Sequence, residues 1–262
     1  MARAIQLADK SGGKNAPNPR VGCVIVHDQR IIGEGYHKQY GSEHAEVNAI
    51  RSVKTEEQHL LSHSTLYVTL EPCHHYGKTP PCVDLILQHK IPKVVVALED
   101  PFEKVRGKSI KKLINNGVEV RVGCLETEAR NLCRRFLCFV ERNRPYVILK
   151  FARSSDGFMG LPGQRVQISN KLSKRLVHQW RSEEAAIMVG TNTALTDNPE
   201  LNVRYVSGRS PIRILLDKHL KTPLSHHLFD GKQQTLVFTS KENVPDITET
   251  TFIPHNLSLI HI

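Results

Sequence analysis

The residues of this chain best suited to chemistry are one histidine and two cysteines that can share a metal ion. His44 is followed two residues later by Glu46, and Pro72 precedes Cys73, with Cys82 further along. One imidazole and two thiolates can hold Zn²⁺ and leave the fourth tetrahedral position to water, as catalytic zinc sites do. Bound zinc lowers the pKa of that water from about 15.7 to about 7, so a hydroxide nucleophile is available at neutral pH.

Glu46 is the candidate for moving protons at this site. It lies two residues from the histidine, where its carboxylate can take the proton of the water and deliver it to a departing amine. Histidine, then glutamate, then a proline-cysteine pair and a second cysteine form the signature of zinc-dependent deaminases. Two residues separate the cysteines in that signature, whereas eight separate them here. This difference narrows the range of substrates that a deaminase of this type would act on.

Two other interpretations use the same residues. Cys73 and Cys82 are compatible with two buried thiols, since free cysteine packs as a small hydrophobic side chain. A purely structural zinc needs a fourth protein ligand, for which His74 and His75 are the local candidates. The order of the residues favours the catalytic site over both.

Length and composition predict a two-domain globular protein. The chain has 262 residues, of which 39% are hydrophobic and 24% charged, a length above that of most single domains. No apolar run approaches the about 18 residues of a membrane helix, and the first residues read as an amphipathic helix without a cleavage site. Six cysteines in so long a chain do not indicate a disulfide framework. We therefore expect a cytoplasmic protein with no membrane partner.

The net charge of +10 is the one bulk property that suggests nucleic acid. The positive residues are dispersed, however, and no aromatic stacking surface accompanies them. A phosphorylated small molecule rewards basic side chains equally. We expect such a small molecule, and no nucleic acid, as the partner, although charge alone leaves both open.

Strands and helices alternate from residue 1 to about 142, which we predict to be the first domain. The two predicted helices that carry candidate ligands, 44–52 and 82–89, begin at those ligands. At a helix N-terminus the dipole favours a cysteine thiolate over the thiol. Repeated βα units predict a largely parallel sheet with helices on both faces. The predicted strands cover 21–26, 31–35, 66–70, 94–98 and 118–122, and the helices 44–52, 82–89, a segment ending near 116–117, and 126–140.

The second predicted domain, 143–262, is again α/β but unfinished. It opens with 145–152, a strand too apolar to be exposed, followed by a helix at 172–180 and buried strands at 186–190, 212–216 and 235–238. Residues 257–262 match the translation of a transposon end used as a sequencing adapter, so we expect a non-native tail. A native final strand is the alternative.

Three segments resemble the bifunctional deaminase/reductase family of riboflavin biosynthesis. They are EPCHHYGKTPPC at 71–82, PNPRVGCV at 17–24 and GSEHAE at 41–46, and the resemblance extends from residue 1 to about 240. It implies an α/β chain whose N-terminal cytidine-deaminase-like three-layer α/β/α domain hydrolyses the 2-amino group of 2,5-diamino-6-ribosylamino-4(3H)-pyrimidinone 5′-phosphate. A dihydrofolate-reductase-like domain, incomplete here, then reduces the ribosyl group to ribityl with NADPH.

The same resemblance implies roles for deaminase residues. His44, Cys73 and Cys82 match the zinc ligands and Glu46 the proton shuttle. A further group matches contacts to the phosphorylated substrate, with a solvated loop as the alternative for its last two members: Asn18, His75 and Lys78.

In the second domain the resemblance extends residue by residue. It implies NADPH contacts at Ala152, Thr193 and Asp197, and substrate contacts at Arg181, Leu201 and Arg204. Two arginines aimed at one small molecule suit a phosphate, which forked donors bind well. Without the resemblance, both arginines read as surface residues.

Two departures from the family bear on the reductase. Gln167 stands where the family often has an aromatic cofactor contact, and the glycine-rich acidic segment that completes the site is absent. We therefore expect weak or no reductase activity and apolar surface left uncovered. A homo-oligomer is compatible with the sequence.

Two alternative functions remain at this point. A tRNA adenosine deaminase shares the HAE triplet but uses the short cysteine spacing and needs no second α/β domain. A non-catalytic, zinc-stabilised binding module has no use for Glu46.

Overall fold

The computed structural model describes residues 1–74, 76, 80–103, 105–161 and 166–255. The chain divides into two compact units, Met1–Ile148 and Leu149–Ile262. Within the described residues, no helix combines the length and the apolar character needed to cross a membrane.

The first unit is built on a five-stranded mixed sheet in the order β2-β1-β3-β4-β5. The strands are β1 (Gly22–His27), β2 (Arg30–Tyr36), β3 (Thr65–Val68), β4 (Lys93–Val96) and β5 (Glu119–Val122). β1 and β2 form an antiparallel hairpin, and β1 also pairs antiparallel with β3. The strands β3, β4 and β5 run parallel, as βα connections require.

Helices cover both faces of this sheet. They are α1 (Ala2–Asp9), α2 (Ala45–Ser52), α3 (Cys82–Gln88), α4 (Lys108–Asn115) and α5 (Glu126–Arg142), with a 3-10 segment at Thr55–His63. Alternate residues of β1 point to opposite faces. Cys23 and Ile25 pack with α2, α3 and α4, whereas Val24 packs against α1 on the other face. The predicted three-layer α/β/α arrangement is confirmed.

A glycine lets the helix that carries His44 lie directly on the sheet. Gly35 of β2 faces the backbone of α2, and a Cβ there would come within 2.3 Å of the Ala49 nitrogen and 2.4 Å of the Ala45 oxygen. Only a residue without a side chain permits this approach. The close contact fixes the distance of α2 from the strands beneath it.

The second unit is built on a four-stranded parallel sheet in the order β6-β7-β8-β9. Its elements are α6 (Lys171–Glu183), β6 (Ala186–Gly190), α7 (Thr191–Asp197), β7 (Ile212–Leu216), β8 (Thr235–Thr239) and β9 (Thr250–Pro254). The core contains Ala194 of α7, Leu215 of β7 and Val237 of β8. The α/β prediction is confirmed for this unit as well.

The strand predicted at 145–152 is wrong. This segment has no regular secondary structure, and Val147, Leu149 and Phe151 are 62%, 85% and 66% exposed. Among the described residues no strand pairs with it, and a lone extended segment leaves its backbone groups without partners. Apolar composition favours burial but does not supply a neighbouring strand.

Apolar surface is also exposed on α6 and β6. Leu172, Leu176 and Trp180 follow one another at four-residue spacing on α6 and are 76%, 44% and 48% exposed, and Met188 of β6 is 56% exposed. Residues four apart share one face of a helix. One apolar face of α6 is therefore open to solvent within the described part of this unit.

Candidate active site

The N-terminus of α2 positions a histidine and a glutamate. His44 is the N-cap residue, with an extended backbone at φ −72° and ψ 164°. Glu46 lies in the first turn and is only 3% exposed. The helix start therefore brings an imidazole and a buried carboxylate to one place.

Two cysteines reach the same place from the other side. Cys73 follows β3 in an irregular segment, and Cys82 is the first residue of α3. The backbone N–H of Cys82 donates to Sγ of Cys73 over 3.2 Å. The N–H of Val83 donates to the carbonyl oxygen of Cys73 over 3.3 Å. The start of α3 thus holds Cys73 by its sulfur and by its backbone.

The three side chains have the spacing of a zinc site. Nδ1 of His44 lies 3.5 Å from Sγ of Cys73 and 3.4 Å from Sγ of Cys82. Zinc–sulfur and zinc–nitrogen bonds at a tetrahedral angle place these atoms about 3.6 Å apart. Among the described residues no fourth histidine, cysteine or carboxylate joins the group. The donor set fits Zn²⁺ with one position left over.

The protonation of the thiols agrees with metal binding. The pKa of Cys73 is lowered, mainly because the thiol of Cys82 donates a hydrogen bond to its sulfur, and His44 adds to this. The pKa of Cys82 is raised in turn, because it is the donor and is buried. Without metal the pair is one thiolate and one thiol, and binding zinc releases the remaining proton.

Glu46 has a perturbed carboxyl group. Burial raises its pKa to about 7, and the negative charge of Cys73 adds to the effect. A group that titrates near neutral pH can both accept and return a proton. Its position beside the zinc ligands is the one a proton shuttle needs.

Asn18 lies beside a histidine that sequence reasoning missed. Its Nδ2 is 3.1 Å from Nε2 of His37, and Nδ1 of that ring is 3.0 Å from the carbonyl oxygen of Glu43. Because a carbonyl only accepts, Nδ1 carries the proton and Nε2 accepts from the amide of Asn18. The His37 ring contacts the His44 ring edge-on, with 5.6 Å between centroids. This chain of contacts joins Asn18 to the metal site.

Other candidates stay predictions. His75 and Lys78 lie outside the described residues. His74 is described and half-buried, but it does not belong to the ligand group.

A second missed residue is Glu71, which is 4% exposed. Its carboxylate accepts backbone hydrogen bonds from the segment 100–110. Its only signal in the sequence was its place just before Pro72 and Cys73.

In the second unit the predicted substrate residues lie in or beside the loop that contains Asn202. Nη1 of Arg181 donates to the carbonyl oxygen of Asn202 over 2.5 Å, and Nη1 of Arg204 donates to Oδ1 of Asn202 over 2.6 Å. Leu201 is 5% exposed and packs in the core, so its side chain supports the loop. The arginines are thus brought together, whereas the Leu201 side chain faces inward.

His178 also holds this loop, and the sequence did not indicate it. Its Nδ1 accepts from the backbone N–H of Arg204 over 3.2 Å, and its ring contacts Tyr205 at 4.5 Å. Burial lowers its pKa to about 4, so the ring is neutral and can accept. A histidine one turn before Arg181 on α6 was its only sequence signal.

Of the three residues predicted to contact NADPH, two lie on a helix and one lies in a segment without regular secondary structure. Thr193 and Asp197 lie on α7, which begins directly after β6. A Cβ on Gly190 at this junction would meet nothing within 4 Å, so there is open space beside it. Ala152 lies in the irregular segment that was predicted to be a strand. The described residues therefore fit a dinucleotide only in part.

Two family models match the chain. Residues 1–98 match the cytidine and deoxycytidylate deaminase zinc-binding region, and residues 145–259 match the RibD C-terminal domain. The riboflavin biosynthesis protein RibD of Aquifex aeolicus is 43% identical over 93% of this chain and 68% of its own length. The RibD proteins of Actinobacillus pleuropneumoniae and Bacillus amyloliquefaciens are 40% and 41% identical and are covered over 66% and 64% of their lengths. The chain spans about two thirds of the length of these curated relatives.

Two solved structures are similar to this chain over nearly all of its length. The diaminohydroxyphosphoribosylaminopyrimidine deaminase/5-amino-6-(5-phosphoribosylamino)uracil reductase of Thermotoga maritima superposes with a TM-score of 0.88 at 38% identity, covering 100% of this chain and 74% of that one. A RibD structure from Acinetobacter baumannii gives a TM-score of 0.86 at 35% identity, over 98% and 73% of the two chains.

Proposed function

The chain belongs to the RibD family of riboflavin biosynthesis proteins, and we propose that its first unit is a zinc-dependent deaminase. The substrate is the diaminopyrimidinone ribosyl phosphate, which loses its 2-amino group as ammonia. The observation that carries this proposal is the group His44, Cys73 and Cys82, whose atoms lie within 4.8 Å of one another beside a buried glutamate.

The zinc ligands in this proposal are His44, Cys73 and Cys82. When bound, zinc supplies a Lewis acid that makes hydroxide available at neutral pH. Glu46 would accept one proton of the attacking water and pass it to the ring nitrogen, then take the proton of the newly added hydroxyl group and deliver it to the amine, which leaves as ammonia. Its pKa of about 7 suits both directions of transfer.

Substrate contacts are proposed for Asn18, His75 and Lys78. The hydrogen bond from Asn18 to neutral His37 supports the first of these, because it fixes the amide with its oxygen as the remaining acceptor. Burial lowers the pKa of His37, which keeps its ring neutral. Lys78 supplies a point charge for phosphate.

The second unit is a reductase domain of the NADPH-binding type. We propose that Thr193 and Asp197 contact NADPH and that Arg181 and Arg204 contact the substrate. The family's contacts at Ala152 and Leu201 are proposed through their backbones. Because Ala152 lies in a segment without regular secondary structure, we expect NADPH binding to be weak. Calorimetric titration with NADPH measures this, and ordinary reductase affinity would overturn it.

Two functional domains, 1–142 and 143–262, are proposed, and the separate family matches support them. Six free cysteines support a reducing, cytoplasmic location. A small phosphorylated pyrimidine is the proposed partner, without nucleic acid, and a homo-oligomer is compatible with this.

The deaminase proposal is tested by turnover of the zinc-loaded protein on the diaminopyrimidinone phosphate, with ammonia release as the readout. We expect turnover with this substrate and none with a tRNA substrate. Cys82→Ser should lose both metal and activity, because a ligand is removed. The matched control is Cys133→Ser. Cys133 is also a buried cysteine, but it lies on α5 and does not belong to the group of zinc ligands. Ammonia release from tRNA alone would overturn the substrate assignment.

A further inference from the structure

One buried carboxylate binds four backbone N–H groups next to the metal site. Oε2 of Glu71 accepts from Gly107 over 2.9 Å and from Asp100 over 3.2 Å. Oε1 accepts from Ser109 over 3.1 Å and from Ile110 over 3.5 Å. Hydrogen bonds to an ionised acceptor are stronger than those between neutral groups. The carboxylate thus joins the backbone at Asp100 to the segment 107–110 at the start of α4.

These bonds supply the cap that α4 does not make for itself. Its N-cap residue is Gly107, at φ 67°, and a glycine has no side chain with which to cap the helix. The first N–H groups of a helix have no partner within it. Glu71, 36 residues earlier in the chain than Gly107, fills that role, and its negative charge faces the positive end of the helix dipole.

The same residue is held on its own backbone. The N–H of Glu71 donates to the carbonyl oxygen of Leu98 over 2.8 Å. The hydroxyl of Ser109 donates to the carbonyl oxygen of Pro72 over 2.6 Å. Cys73 comes next, and its sulfur accepts from the N–H of Cys82. The backbone leading into the zinc ligand is therefore fixed from both sides.

We propose that Glu71 is a positioning residue that preforms the zinc site by tying the Cys73 segment to the start of α4. It touches neither metal nor substrate, and acts through the backbone of Pro72 and Cys73. This role rests on the proposed zinc function of Cys73. Its effect is on how well the apo site is organised before the metal arrives.

Glu71→Gln is the direct test, because glutamine has the same shape but turns an N–H₂ group toward N–H donors. We expect the dissociation constant for Zn²⁺ to rise about tenfold, the lower end of the effect seen when groups that support metal ligands are removed. Zinc affinity is measured on the apo protein by competition with a colorimetric chelator, without substrate. Hydrogen exchange should accelerate at the amides of Gly107, Ser109 and Ile110.

The control must lose stability without touching this network. Leu7→Ala serves, because Leu7 is 4% exposed on α1 and packs with Ala4 and Val24 on the other face of the sheet. If Leu7→Ala, at equal loss of stability, weakens Zn²⁺ binding as much as Glu71→Gln does, Glu71 is merely structural and the proposal is wrong.

Ser109→Ala tests the link between the Cys73 segment and α4 if Glu71→Gln does not fold. It removes only the hydrogen bond to Pro72, and we expect a weakening of Zn²⁺ affinity in the same direction but smaller. Unchanged affinity in that variant would overturn the proposal. Failure of the proposed deamination is a separate result, seen as absent turnover in a wild-type protein that binds Zn²⁺ normally.

Discussion

Glu46 combines near-complete burial with a position beside the three proposed zinc ligands. Burial makes the ionised form of a carboxyl group costly, and it raises the pKa of Glu46 to about 7, where the group can exchange protons. We expect Glu46→Gln to lower kcat by about 10²–10⁴-fold, the usual contribution of a general acid–base group. Zinc content should stay at one ion per chain, because the carboxylate is not a ligand. Metal analysis and ammonia release measure the two effects.

The control for that variant is Glu56→Gln, an exposed glutamate of the same unit, which should leave both values unchanged. Turnover surviving in Glu46→Gln would remove the proton shuttle from the mechanism.

Asp217 is the corresponding buried carboxylate of the second unit, and its role is in stability. Burial raises its pKa, but hydrogen bonds from Thr222, Lys221 and Thr191 outweigh this and leave the pKa lowered. The backbone N–H groups of Thr222 and Lys221 lie 2.8 and 3.1 Å from its oxygens. Asp217→Asn should lower the free energy of unfolding of this unit by about 1.5 kcal/mol.

The pH dependence of this loss has a definite sign. Because the folded pKa is lower than the unfolded one, the advantage of Asp217 is complete above about pH 4. It disappears as the pH falls through the folded value. Urea unfolding at pH 7 and pH 3 measures the difference between wild type and Asp217→Asn, with exposed Asp246→Asn as control. A difference that grows toward low pH would contradict the assignment.

The grouping of His44, Cys73 and Cys82 could be predicted from sequence, because metal chemistry restricts both the residue types and their order. His37, Glu71 and His178 could not. Each acts by binding backbone groups of another segment, as Glu71 binds the amides of 107–110. Backbone groups have no residue type, so nothing in the sequence marks such a pair.

At the scale of elements, the contact between α2 and β2 positions both His44 and Glu46. Gly35→Ala would place a Cβ 2.3 Å from the Ala49 nitrogen and 2.4 Å from the Ala45 oxygen, so α2 has to move away from the sheet. Overpacking of this kind costs about 1–3 kcal/mol. We expect lower thermal stability of the first unit together with weaker Zn²⁺ binding.

Gly160→Ala is the matched control, because a Cβ there meets nothing within 4 Å. Denaturation followed by circular dichroism, and Zn²⁺ competition on the apo protein, compare the two variants. Normal Zn²⁺ affinity in Gly35→Ala would show that the contact does not set the geometry of the metal site.

Elements were predictable where local pattern and tertiary partners agreed. The strand at β1 and the start of α3 at Cys82 were both predicted correctly, since each has its neighbours within the first unit. The segment 145–152 has the composition of a buried strand but, among described residues, no strand beside it. The strand β9 was missed because Thr250–Pro254 has little apolar signal and depends on pairing with β8. Pairing is a property of the partner as much as of the segment.

At the scale of the whole molecule, the metal site belongs to one of two units with separate cores. All three proposed ligands lie in Met1–Ile148, and the core of Leu149–Ile262 contains none of them. A metal that binds only the folded state stabilises the part that it binds. We expect calorimetry to show two unfolding transitions, and removal of zinc by a chelator to lower the midpoint of one of them. Asp217→Asn should lower the midpoint of the other and leave the first unchanged. A single transition, or a chelator that lowers both midpoints equally, would mean that the two units unfold as one.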